Sequence, residues 1–194
     1  MRLRWLWMLP IVGSLAWPAL APADTQLTRT EATRMFAAAT ERTHQFSEGM
    51  GDHLLYVYFD PNCIYCHLLY ERIQPYIRTG RVQVVWIPVG FLKSDSPGKA
   101  EAILSARNPA MALSLNEREF NTSDEEGGIR PLRHPAAAIV RAVYENTRLL
   151  EVLGEVATPT LVFADRQGVI HIVPGMPRRL GPVIDMLGPL PPLS

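Results

Sequence analysis

Two cysteines three positions apart are the only ones in this 194-residue chain. They stand where an apolar run passes into a helical pattern. Leu54-Leu55-Tyr56-Val57-Tyr58-Phe59 reads as a buried strand, and Asp60-Pro61-Asn62 turns the chain. Cys63-Ile64-Tyr65-Cys66 then opens a helix continued by Leu68, Leu69, Ile73 and Ile77. A cysteine at a helix start faces unpaired backbone N–H groups and the positive end of the helix dipole, and both favour thiolate over thiol. The second cysteine, one turn on, is placed to attack a disulfide formed at the first. This spacing points to disulfide exchange, with Cys63 as the exposed nucleophile, Cys66 as the resolving thiol and a Cys63–Cys66 disulfide as the oxidised form.

The first residues read as an export signal over 1–23. Arg2 and Arg4 give a basic start, Trp5 to Trp17 an apolar stretch, and Ala21-Pro22-Ala23 a small-x-small cleavage site. A bilayer-spanning helix wants about 20 apolar residues, so a cleaved leader is the better fit than an anchor. Cleavage would leave 17 basic and 19 acidic residues. That balance lacks the basic excess of a nucleic-acid or membrane-surface protein. About 170 remaining residues can bury a full core, so the cysteines are not needed as a staple. An exported chain meets an oxidising compartment, where a dithiol is kept by a reducing partner or spent as an oxidant.

The pattern along the chain is α/β. Residues 24–50 are expected to form an N-terminal helix and linker, with the helix over 27–46, and the domain proper spans 51–188. After the CxxC helix, broken or kinked at Pro75 and closed by Gly80, Val82 to Val89 forms a second strand. Strand, helix and strand imply a parallel right-handed unit. Residues 95–153 form a helical insertion: one helix starts at Ser96-Pro97, a second near Pro109, and a third runs from Pro135 to about Leu153, with an exposed loop over 121–133. Thr160 to Ala164, the turn Asp165-Arg166-Gln167-Gly168, and Val169 to Val173 read as a hairpin. A last helix over 179–187 precedes a proline-rich tail, 189–194. The order βαβ, helical insertion, ββα is a thioredoxin-like fold with an N-terminal helix.

Several stretches together resemble the periplasmic thiol:disulfide interchange proteins of the DsbC/DsbG type, closer to DsbG. They are Phe59-Asp60-Pro61-Asn62-Cys63-Ile64-Tyr65-Cys66, Trp86-Ile87-Pro88-Val89-Gly90 with Lys93, Ser96-Pro97, Lys99-Ala100-Glu101-Ala102-Ile103-Leu104, Ala157-Thr158-Pro159 and Gly175-Met176-Pro177. The resemblance covers about residues 51–187. It implies a thiol:disulfide oxidoreductase, working as a reductase or isomerase and also on sulfenylated cysteines, with no cofactor. It further implies Thr158-Pro159 as a cis-proline loop that binds extended substrate, periplasmic protein substrates, and a membrane electron donor or acceptor of the DsbD/DsbB type. Relatives carry an N-terminal dimerisation domain, for which the segment between leader and domain is too short. They tend to have Pro-Tyr or Gly-Tyr between the cysteines, where this chain has Ile64-Tyr65; both residues, with His67, are expected to modulate the dithiol.

Other readings compete. A monomeric disulfide-forming oxidase would use the same residues. Cys63-Ile64-Tyr65-Cys66-His67 also fits the CxxCH pattern of c-type haem attachment, with His67 as axial ligand, although a porphyrin would be crowded beside a buried strand. A binding module with a merely structural disulfide is the third. His44, His53, His134 and His171 have no metal-ligand spacing, so no metal is expected. Asp124-Glu125-Glu126 reads as a solvated loop. Tyr56 and Tyr58 share one strand face and read as core, whereas Tyr65 is the aromatic expected at the surface beside the cysteines.

Overall fold

The computed structural model describes residues 29–152 and 156–188. The expected leader and proline-rich tail lie outside the described residues. Six helices and five strands are seen among them: α1 (Arg29–Glu41), β1 (Phe46–Glu48), β2 (Leu54–Phe59), α2 (Ile64–Arg78), β3 (Gln83–Pro88), α3 (Ser96–Leu104), α4 (Pro109–Arg118), α5 (Ala137–Val152), β4 (Thr160–Ala164), β5 (Ile170–Pro174) and α6 (Leu180–Met186). No helix among the described residues is long and apolar enough to cross a membrane.

The strands form one mixed sheet in the order β1-β3-β2-β4-β5. β2 and β3 run parallel, with Tyr56 opposite Val85 and Phe59 opposite Pro88, as the strand–helix–strand reading requires. β4 pairs antiparallel with β2 and β5 antiparallel with β4. Alternation along the central strands divides the core between two faces. Leu55, Val57 and Phe59 of β2, with Val84, Trp86, Leu161 and Phe163, pack against Leu69, Ile73 and Ile77 of α2, Leu113 of α4 and Ile184 of α6. Tyr56 and Tyr58, with Val85, Ile87 and Val162, face the other way, against Leu150 of α5 and Phe36 of α1. Cys63 and Cys66 belong to the first face, so the dithiol grows out of the core rather than lying on it.

Two expectations need correction. Segment 24–50 is not only a helix and linker: α1 ends at Glu41, and Phe46–Glu48 adds an edge strand antiparallel to β3. The sheet therefore starts before residue 51. β1 is held by its side chains, Phe46 packing edge-on to Phe59 and Glu48 accepting from Trp86 Nε1 at 2.9 Å and Gln74 Nε2 at 3.1 Å. Nor does Pro75 break its helix, since α2 runs unbroken to Arg78. Pro75 and Glu71, whose carbonyl loses its helical donor there, are both exposed, so water can satisfy that carbonyl.

Candidate active site

The site forms where β2 ends and α2 begins. Cys63 is the N-cap of α2, with extended backbone and no side-chain cap, so the first-turn N–H groups point towards its own sulfur region. Asp60 fixes the turn that brings it there. Buried completely, its carboxylate accepts four hydrogen bonds: Oδ1 from Asn62 N (3.0 Å) and Ser96 Oγ (2.7 Å), Oδ2 from Phe91 N (2.8 Å) and Leu92 N (3.0 Å). Every lone-pair direction of the carboxylate is used.

Asn62 is tied from the other side. Its Nδ2 donates to Asp95 Oδ1 and Ser96 Oγ, both at 2.9 Å, while its Oδ1 accepts from Lys99 Nζ (2.9 Å) and Gly127 N (3.0 Å). Lys99 is itself 1% exposed and reaches Asp95 (3.0 Å), Glu126 (3.1 Å) and the Gly127 carbonyl (2.9 Å). Its buried charge is thus fully matched, the condition for tolerating such a group. Asn116 closes the ring, Nδ2 donating to the Pro61 carbonyl at 3.0 Å. Gly127 passes so close that a Cβ there would strike Pro61 O and Asn116 Oδ1, so only glycine fits. The acidic loop expected to be merely solvated is therefore pinned, through Glu126, to the turn before the cysteines.

The two sulfurs are free thiols in unlike settings. Contrary to the expectation of an exposed nucleophile, Cys63 is only 5% exposed, because the loop before β4 covers it. That loop holds the cis Thr158-Pro159 bond, and Cys63 Sγ donates to the Thr158 carbonyl at 3.2 Å. The hydrogen bond from the Cys66 side chain lowers the Cys63 pKa most; with help from the Thr158 side chain and the backbone at 65 and 66, it outweighs burial and brings the value down to about 7. The Thr158 hydroxyl is buried beside Cys63 with no hydrogen-bond partner at bonding distance among the described residues. Cys66 lies deeper, and burial pushes its thiol well above the ordinary value, aided by the neighbouring Cys63 and by Glu117.

The remaining predicted residues divide. Tyr65 is 58% exposed at the mouth and Ile64 half-buried. His67 turns inward: Nδ1 meets Glu117 Oε2 at 3.0 Å, Nε2 lies 3.8 Å from Glu71 Oε1, and the ring stacks on Phe120 at 4.5 Å between centroids. Hydrogen bonding to Glu117 raises its pKa against the effect of burial. Both nitrogens thus face carboxylates, and a haem axial ligand would have to leave this setting. His44, His53 and His171 are engaged elsewhere, with Glu145, the Gly188 carbonyl and Asp165. Sequence reasoning missed the roles of Asp60, Asn62, Lys99, Asn116 and Glu117; the available signal was a charged or amide side chain at a core-facing helical position, as at 116 and 117 beside Leu113.

A parallel strand–helix–strand unit, an antiparallel hairpin, a dithiol at a helix start and a cis-proline loop across it define the thioredoxin-like class. The sequence profile of the thioredoxin-like domain matches residues 45–179, and the chain belongs to that family. It is similar to the thiol:disulfide interchange protein DsbG of Pseudomonas aeruginosa, 30% identical over 151 residues that cover 77% of this chain and 57% of that protein. Escherichia coli DsbG is 28% identical over 142 residues, 71% of this chain and 54% of the relative. The chain therefore spans little more than half the length of these relatives. Among solved structures, a periplasmic thioredoxin-like protein of Salmonella enterica serovar Typhimurium superimposes with a TM-score of 0.59 at 21% identity, over 78% of this chain and 94% of that one. The latter supports the fold alone.

Proposed function

We propose that this chain is a periplasmic thiol:disulfide oxidoreductase that reduces or isomerises disulfides in exported proteins. The observation that carries the reading is the asymmetry of the two sulfurs, one with its pKa lowered to about 7 and one held well above the ordinary thiol value. Cys63 as thiolate attacks a substrate sulfur, and Cys66 then attacks Cys63 to release the reduced substrate. The Thr158-Pro159 loop offers backbone groups to an extended substrate segment beside the cysteines, and Tyr65 adds an exposed aromatic surface there. Attack of the Cys63 thiolate on a sulfenylated cysteine follows the same course. Recharging falls to a membrane electron donor of the DsbD type, and the export signal over 1–23 would deliver the chain to that compartment.

The oxidase alternative uses the same first cysteine. A lowered Cys63 pKa serves a reductase and an oxidase alike, so the reduction potential of the pair separates the two. A reduction potential near −120 mV would place the chain with the oxidants of the DsbB-linked kind. The direct test is trapping in the periplasm. Cys66→Ser is expected to accumulate mixed disulfides with exported proteins, and Cys63→Ser to accumulate none; equal trapping by both, or by neither, contradicts the assignment.

A further inference from the structure

What a dithiol accepts as substrate depends on the groups around its sulfur, and here the front of the site carries charge on one side. β4 and β5 pair antiparallel with Thr160 opposite Pro174, so the segment before β4 and the segment after β5 leave the same end of the hairpin side by side. The first is Ala157-Thr158-Pro159, whose Thr158 carbonyl meets Cys63 Sγ. The second is Gly175-Met176-Pro177-Arg178-Arg179. It turns at Gly175, with φ +76°, and is anchored on both sides of the arginines: Met176 packs on the core face that holds both cysteines, and Leu180 is buried in it. Between those anchors Arg178 and Arg179 are exposed, and neither guanidinium has a partner among the described residues. Arg81 and Arg148, elsewhere on the surface, each hold a carboxylate at 2.7 Å. From Ala157 to Leu180 the one acidic residue is Asp165, at the far turn of the hairpin, and its carboxylate is taken up by His171 and by the N–H groups of Gln167 and Val169. On the other side of the dithiol Ile64 and Tyr65 bring no charge. The acidic loop Asp124-Glu125-Glu126 belongs to the clamp behind the turn, where Glu126 holds Lys99.

We propose that Arg178 and Arg179 select protein substrates that carry Asp or Glu close to the cysteine under attack. The proposal deepens the disulfide-exchange reading above and rests on it. A substrate segment laid along the Thr158-Pro159 loop also passes the neighbouring 175–179 segment. Extended chain advances about 3.3 Å per residue, so carboxylates two or three residues from the substrate cysteine come within reach of the long arginine side chains. The guanidinium fork takes a carboxylate through two N–H groups, which gives direction as well as attraction. The pull is local. Beyond the expected leader the chain has 17 basic and 19 acidic residues, so its net charge draws no acidic partner. The groups that lower the Cys63 pKa are Cys66, Thr158 and the backbone at 65 and 66, so the arginines act on the substrate and not on the thiolate.

The test gives the reduced full chain two disulfide-bridged peptides that differ only at the residues two and three positions to either side of each cysteine, Glu in one and Lys in the other. Each rate of reduction is divided by the rate with dithiothreitol, which removes the peptides' own reactivity. The parent is expected to favour the Glu peptide about fivefold at low ionic strength. Salt at about 0.5 M should bring the ratio close to one, because exposed charges are screened. Arg178→Gln/Arg179→Gln should do the same without salt. Arg141→Gln/Arg166→Gln makes an equal change of charge at exposed positions on α5 and at the far hairpin turn, and should keep the parent ratio. A parent ratio below about twofold at low ionic strength, or one that survives in the Arg178→Gln/Arg179→Gln chain, overturns the proposal. So does a ratio indifferent to salt, a measurement on the parent that stands even if the double variant does not fold. A parent that reduces neither peptide would instead sink the exchange reading itself.

Discussion

The two sides of the dithiol are built on opposite principles. Behind it, the Asp60-Pro61-Asn62 turn is immobilised by side chains from α3, α4 and the loop at 126–127, almost all buried and fully hydrogen-bonded. In front, the Thr158-Pro159 loop meets Cys63 through one hydrogen bond, with Tyr65 exposed beside it. A sulfur that must be attacked from one direction needs a rigid back and a yielding front. The helical insertion supplies the back: its polar residues clamp the turn that positions Cys63.

If this contrast is right, substitutions behind the dithiol should cost far more than those in front. The largest loss is expected from Asp60→Ala, which orphans three backbone N–H groups and the Ser96 hydroxyl; about 3–5 kcal/mol should disappear from urea unfolding of the reduced protein. Lys99→Met should follow. It strands the Gly127 carbonyl and leaves Asn62 Oδ1 with Gly127 N alone, but Asp95 and Glu126 are partly exposed and can rehydrate, so about 2–3 kcal/mol is expected. Such losses rival truncating a core leucine such as Leu69, about 2–5 kcal/mol. Tyr65→Ser should change stability by less than about 0.5 kcal/mol while weakening peptide disulfide reduction, read as a higher KM. A Tyr65 effect on unfolding as large as that of Lys99 would erase the contrast.

The main-chain frame of the site and the loop in front of it were largely legible in the sequence. β2, the turn and α2 follow from an unbroken apolar run, a proline turn and helical periodicity, and the cis Thr158-Pro159 bond stands at the position the resemblance assigns to it. The clamp behind the turn was not, because its bonds join residues far apart in sequence: Asn62 to Gly127 spans 65 positions and Asn116 to Pro61 spans 55. Lys99 lay in a quoted stretch, yet nothing local says that a lysine in an amphipathic helix points inward. β1 escaped notice because Phe46-Ser47-Glu48 is too short to show alternation and is held by Trp86 and Phe59 from other strands. The covering of Cys63 likewise depends on a loop 95 residues away.

The claim on which the rest depends is that Cys63, though nearly covered, is the acidic thiol of the pair. Iodoacetamide labelling of the reduced full chain, with the site read by mass spectrometry across pH, measures this directly. Because thiolate is the reacting form, labelling at Cys63 should rise with pH to half its plateau near 7, while Cys66, held as thiol, stays unlabelled there. Labelling of Cys63 that rises only around the ordinary thiol value of 9.0, or that falls first on Cys66, would contradict the account.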